Sequence, residues 1–90
     1  MGTDKPEPAA WTREGETLRR TLTAPDFRTG IAIVDAVAEE AERMNHHPDI
    51  DIRWCTLHFL LTTHDTGTLT DSDYTLAKHI DRIADEHGAK

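Results

Sequence analysis

The stretch AERMNHHPDI (residues 41–50) places two adjacent imidazoles, His46 and His47, at the exit of a helical pattern. Glu42 stands four residues before His46. In a continuous helix that spacing brings both to one face, where the carboxylate can bond and orient the ring. A third imidazole, His64, ends an alternating apolar run and opens the polar turn HDTGTLTDSD, which leads to Asp73. If the helix exit and the strand exit meet at one end of a sheet, three imidazoles surround one cleft. Histidine changes charge near neutral pH, so such a cleft suits proton transfer. Trp54, between the two histidine sites, offers an aromatic face for stacking on a flat ring ligand.

Two other readings use the same residues. Histidine at a helix C-terminus complements the dipole by about 0.3–1 kcal/mol, so His46 and His47 can be a solvated terminus. A metal could draw on Glu42, His46 and His64. Adjacent histidines converge poorly, however: neighbours diverge by about 100° on a helix and point oppositely on a strand. No metal is expected. His58, along a strand, and His79, on a helix flank, read as structural or solvated, and His87 as solvated near the chain end. Asp73 can be satisfied as a helix cap alone. The single cysteine, Cys55, excludes an internal disulfide and reads as a buried, inert thiol.

Composition bounds the rest. Ninety residues suit one domain with a thin core, burying roughly 60–65% of the unfolded surface. Association into a homodimer or homotetramer is the expected way to cover more apolar surface. The net charge is −7 and the basic residues are scattered, which argues against direct nucleic-acid binding. No apolar run approaches the roughly 18 residues of a membrane span, and MGTDKPEPAA lacks the layout of a signal peptide. A soluble, cytoplasmic protein without a membrane partner is expected. There is no glycine-rich nucleotide loop, and no cofactor is expected.

These residues need elements to position them. Residues 1–10 carry two prolines and mixed charge and read as a disordered leader. WTREGETLRRTLTA reads as a hairpin turning at Glu14–Glu16, with Leu18, Leu22 and Ala24 on one face. Arg20 falls on that face too and must reach an edge or find a partner. Asp26 can cap a helix whose apolar stripe is Phe27, Ile31, Val34, Ala38 and Ala41, widened by Gly30, Val37 and Met44. Pro48 ends it near Met44 to His46.

IDIRWCTLHFLLTTH is the strand region: Cys55, Leu57, Phe59 and Leu61 face the core, and Leu60 on the other face hints at a second covered surface. Thr70 with Asp73 forms a capping box for a last helix striped by Leu76, Ala77, Ile80, Ile83 and Ala84. The order β-β-α-β-β-α fits an α+β fold, an antiparallel sheet covered on one face by two helices.

The spacing of Glu42, His46-His47-Pro48, Trp54, His64 and Asp73 resembles the signature of the pterin-4a-carbinolamine dehydratases. NHHPDIDIRW and TTHDTGTLTDSDYTLAKHID are especially similar, and the resemblance runs from Trp11 through Ile83. It implies a single dehydratase-like domain over 11–90 with a four-stranded sheet. It implies dehydration of 4a-hydroxytetrahydrobiopterin to the quinonoid dihydropterin, recycling the cofactor of aromatic amino-acid hydroxylases. It also implies a pterin substrate held by His46, His47 and His64, with Glu42 and Asp73 as acidic support. Trp54 stands at a position that is tyrosine in other members, and Ser72 at one that is arginine in some.

The chemistry suits the residues, since losing the 4a hydroxyl needs one proton delivered to oxygen and one taken from a ring nitrogen. The alternative is a non-catalytic interaction protein, a coactivator or assembly factor that retains the fold, as other members of the family do.

Overall fold

Gly15 adopts φ +59 between two extended runs, a conformation that costs glycine little. It closes the hairpin of β1 (Thr12–Glu14) and β2 (Thr17–Thr23). The computed structural model describes residues 8–90. Most of the expected leader, residues 1–7, lies outside the described residues. Pro8 to Ala10 make a turn in which the Trp11 amide donates to the Pro8 carbonyl at 2.9 Å.

Four antiparallel strands form one sheet in the order β1-β2-β4-β3, with β3 spanning Asp49–Arg53 and β4 Thr56–Leu61. The register sets Leu18 beside Leu61 and Leu22 beside Leu57 on the inner face, and Arg19 beside Leu60 and Thr21 beside His58 on the outer. Two helices, α1 (Phe27–Met44) and α2 (Asp71–Glu86), cover the inner face. The α+β architecture and the order β-β-α-β-β-α match the expectation from sequence.

The helix cores differ in how well periodicity locates them. In α2 the expected residues Leu76, Ala77, Ile80, Ile83 and Ala84 are all buried. In α1 the cap is as expected, Asp26 Oδ1 accepting from the Thr29 amide at 2.7 Å. Its buried line is Gly30, Ile33, Val37 and Ala41, while Phe27 and Ile31 remain 47% and 37% exposed. The stripe is therefore rotated from the one expected. Gly30 lies where α1 meets the sheet: a Cβ there would sit 3.7 Å from Ala24 Cβ and 3.8 Å from Leu57 Cδ2, at ordinary contact distance. Burial of each large aliphatic or aromatic side chain in this layer stabilises by about 1.5–3 kcal/mol.

Arg20 does find a partner. Its guanidinium pairs with the Asp81 carboxylate on α2, and Trp11 Nε1 donates to the same oxygen at 2.8 Å. The buried Trp11 and the mostly buried Arg20 are thus tied to α2 rather than left as polar groups without partners. The strand region holds the two strands that the order β-β-α-β-β-α requires, joined by the turn Trp54–Cys55. Trp54 takes φ 55, a left-handed conformation rare for a bulky residue. Among the described residues, no helix is long and apolar enough to cross a membrane.

Candidate active site

The last turn of α1 decides where the two adjacent imidazoles go. Asn45 adopts φ 52, ψ 46 at the C-cap, and the His46 amide reaches back to the Ala41 carbonyl at 3.0 Å. Asparagine tolerates the left-handed conformation better than most residues, and Pro48 disfavours any continuation of the helix. The spiral therefore stops one residue before His46, and the four-residue relation to Glu42 no longer brings the two together. Glu42 Oε2 instead bonds His47 Nε2 at 2.6 Å, in a pair that is 77% and 55% exposed. The sequence expectation that Glu42 orients His46 is corrected: Glu42 orients His47.

His46 is held by a residue on the other helix. Its Nε2 lies 2.6 Å from Asp73 Oδ1, with the Asp73 side chain fully buried and the His46 ring only 13% exposed. The other oxygen, Asp73 Oδ2, accepts from the Thr70 amide at 3.0 Å and from the Thr63 hydroxyl at 2.7 Å. Asp73 is at once the third residue of a capping box and the partner of a histidine, one oxygen for each task. A carboxylate can only accept, so Nε2 carries the hydrogen in both His46 and His47. Nδ1 is then the nitrogen that can take a proton when the ring is neutral.

His64 follows the end of β4, in a turn closed by its own backbone. The Thr63 amide donates to the Thr68 carbonyl at 3.1 Å, and Gly67, at φ +68, donates to the Thr63 carbonyl at 2.9 Å. The β1–β2 turn clasps this loop from outside: Glu16 Oε1 accepts from the Leu69 amide at 2.9 Å, and the Glu16 carbonyl accepts from the Thr62 hydroxyl at 2.7 Å. The Leu69 bond holds the Glu16 carboxyl below its ordinary value, against the opposing effect of desolvation and with further help from Arg13.

The His64 side chain is exposed and makes no hydrogen bond or ion pair with any described residue. A cleft of about 180 Å³ joins the three histidines, with Asn45, Thr62 and Thr63 among its other walls. It contains two rings fixed through Nε2 and one free ring, so it offers proton acceptors of defined orientation beside an unconstrained imidazole. Among the described residues, no three His, Cys, Asp or Glu side chains are grouped so as to hold a metal ion.

The family model for pterin 4 alpha carbinolamine dehydratase matches residues 3–83. The chain belongs to the pterin-4a-carbinolamine dehydratase family. A relative from Nocardia farcinica, provisionally named as a pterin-4-alpha-carbinolamine dehydratase, is 55% identical over 74 residues, 82% of this chain and 78% of its own. One of the same provisional name from Mycobacteroides abscessus is 55% identical over 71 residues, 79% of this chain and 76% of its own. Among solved structures, a transcriptional coactivator/pterin dehydratase from Brucella melitensis superposes with a TM-score of 0.81 at 26% identity, over 83% of this chain and 82% of its own. A pterin dehydratase-like protein described as a RuBisCO assembly factor in the alpha-carboxysome shares the fold, with a TM-score of 0.72 at 20% identity, over 83% of this chain and 89% of its own.

Within this dehydratase-family fold, five of the six residues singled out from sequence gather at one end of the sheet: Glu42, His46, His47, His64 and Asp73. Trp54 does not join them. It sits in the turn at the other end of the β3–β4 hairpin, 76% exposed, with its ring stacked on Phe27 at 6.2 Å between centroids and 14° between planes. The reason is register: Asp49, next to the cleft, pairs with Leu60, whereas Arg53, next to Trp54, pairs with Thr56 at the far end. Within one chain its stacking partner is Phe27, not a ligand in the cleft.

Sequence reasoning missed Thr63 and Thr70 as a pair, and placed Glu16 only in the hairpin turn, not against the loop of His64. Thr63 stands next to His64 and seven residues before Thr70, but nothing in the residue types announces that its hydroxyl bonds both the Asp73 carboxylate and the Thr70 hydroxyl.

Proposed function

We propose that this protein dehydrates 4a-hydroxytetrahydropterins by histidine general acid/base catalysis, 4a-hydroxytetrahydrobiopterin being the substrate that family membership suggests. The observation that carries the reading is His46, fixed through Nε2 to the buried Asp73 and sharing its cleft with His47 and His64. In the reaction the C4a–O bond breaks and the oxygen leaves as water after gaining a proton. The neighbouring ring nitrogen gives up its proton, and that N–H electron pair forms the new C=N bond of the quinonoid dihydropterin.

His46, with Nδ1 as its acceptor, takes the ring proton. His64, without a hydrogen-bond or ion-pair partner among the described residues, can carry a proton to the departing oxygen. His47, steadied by the exposed Glu42, binds and polarises the pterin. No metal, redox couple or other cofactor enters this scheme, because the step only moves protons and breaks one C–O bond. Such a product would serve the recycling of the pterin cofactor of aromatic amino-acid hydroxylases.

The test is a stopped-flow assay on chemically generated 4a-hydroxytetrahydropterin. Wild-type protein should accelerate its dehydration, and His46→Ala or His64→Ala should lower the rate about 10²–10⁴-fold, the contribution of one acid/base group. His58→Ala should change it little, since His58 lies on the outer sheet face bonded to Thr21. A wild type no faster than buffer would sink the reading.

A working homodimer or homotetramer belongs to the same proposal. Phe27, Ile31 and Trp54 leave apolar surface uncovered, and Leu60 is half-buried on the outer sheet face. That uncovered surface also favours a second reading, an interaction protein that keeps the fold. The coactivator and assembly-factor descriptions of the two solved relatives supply its precedent. An inactive wild type that binds another protein through Phe27 and Trp54 would decide for it.

A further inference from the structure

We propose that Thr63 is a positioning residue that couples the two arms of the cleft, the His46–Asp73 pair and the turn carrying His64. Its side chain serves one arm and its backbone the other. Thr63 Oγ1 lies 2.7 Å from Asp73 Oδ2 and 2.7 Å from Thr70 Oγ1. A hydroxyl has one proton to give, and a carboxylate can only accept. The Thr63 proton therefore goes to Asp73, and the Thr70 hydroxyl must donate to Thr63. The result is a one-way chain: Thr70 to Thr63, Thr63 to Asp73 Oδ2, and His46 Nε2–H to Asp73 Oδ1.

The terminal torsion of an aspartate is soft, with broad wells. Three donors, the Thr70 amide, the Thr63 hydroxyl and His46 Nε2, fix the plane of this carboxylate. Without the Thr63 hydroxyl, Oδ2 keeps only the Thr70 amide. The carboxylate is then free to rock, and it becomes a poorer clamp on the His46 tautomer.

The backbone of Thr63 does the second job. It donates to the Thr68 carbonyl and accepts from the Gly67 and Thr66 amides, at 3.1, 2.9 and 3.2 Å. These bonds close the turn in which His64 sits. The His64 ring has no hydrogen-bond or ion-pair partner among the described residues, so this turn is the hydrogen-bonded structure that places it. One residue thus registers the free imidazole against the fixed one.

The catalytic consequence rests on the dehydratase reading; the effect on the His46 tautomer does not. Thr63→Val keeps the branched shape and removes the hydroxyl, whereas Thr63→Ser keeps the hydroxyl and removes the methyl. Long-range ¹H–¹⁵N spectra of the imidazoles should show His46 as a single Nε2–H tautomer in the wild type and in Thr63→Ser, and a mixture in Thr63→Val. In the dehydration assay, Thr63→Val should lower kcat about tenfold, the size of one hydrogen bond to a charged group, with KM held within about twofold and Thr63→Ser restoring the rate.

An unchanged His46 tautomer in Thr63→Val, or a Thr63→Ser protein no better than Thr63→Val, would overturn the proposal. A wild type without dehydratase activity would remove the dehydratase reading and leave the spectra to decide the coupling. Should Thr63→Val not fold, Thr63→Ala removes the same hydroxyl without a second methyl and carries the same two readouts.

Discussion

His46 Nε2 lies 2.6 Å from Asp73 Oδ1 across 27 residues of sequence, one ring at the exit of α1 and one carboxylate in the first turn of α2. The second histidine pair, His47 with Glu42, has the same length but stands in solvent. Two pairs of equal geometry and opposite burial should behave differently when broken.

Asp73→Asn should therefore matter much more than Glu42→Gln. The buried carboxylate accepts three hydrogen bonds, and each bond to a charged group is worth roughly 1.5–3 kcal/mol, so urea melts should show a loss of at least that order. Dehydration should slow about 100-fold, because His46 loses its fixed tautomer. Glu42→Gln, at an exposed pair, should stay within about 0.5 kcal/mol of wild type and cost less than tenfold in rate. Equal effects of the two changes would contradict the assignment of His46 as the anchored base.

Glu16 gives the loop of His64 an acid-sensitive clasp. The Leu69 amide bond, aided by Arg13, lowers the Glu16 carboxyl from its ordinary value. A group depressed in the folded state contributes stability above its unfolded value and loses it as pH falls through the folded one. The Leu69 amide shift, followed by NMR, should titrate with a midpoint below about 4.3, the ordinary glutamate value, and Glu16→Gln should abolish that titration. A midpoint at or above the ordinary value would show that the clasp does not hold in solution.

Gly30→Ala should stabilise the protein. A Cβ at this buried helical position meets Ala24 and Leu57 at ordinary contact distance, 3.7 and 3.8 Å. Alanine is the better helix former by about 0.5–1 kcal/mol, so the urea midpoint should rise. A fall would mean that α1 approaches the sheet more closely than these distances allow.

Sedimentation at micromolar concentration should show a dimer or tetramer. The uncovered Phe27, Ile31 and Trp54 and the thin core of a 90-residue chain both favour association. Replacing both Phe27 and Trp54 by serine should shift the distribution toward smaller species if that patch takes part. Monomer alone in the wild type would count against association.

Much of the architecture was legible because helical and strand periods record which face of an element meets the core. The stripe of α2 and the alternation Leu57, Phe59, Leu61 read directly as burial, and the caps at Asp26 and Thr70 as helix starts. The end of α1 was legible as well, since Pro48 forbids the helix in the chemistry of its ring. Two features were not local and misled. The apolar set of α1 is wide enough to offer two stripes, and packing against the sheet and α2 buries the one through Ile33 rather than Ile31. The turn at Trp54–Cys55 contains no turn-forming residue, so a left-handed tryptophan could not be foreseen.

The residue types of the cleft were written in the sequence: three imidazoles and two carboxylates at spacings shared with the dehydratase family. Their pairing was not. Spacing predicts a partner only while the backbone repeats, and the left-handed Asn45 breaks that repeat one residue before His46. From there the partner of each ring is fixed by which surface it meets when α1, the end of β4 and the first turn of α2 pack together. Sequence therefore supplied the groups, and packing decided that Asp73, not Glu42, holds His46, that Thr63 braces Asp73, and that Trp54 faces away at the far end of the hairpin.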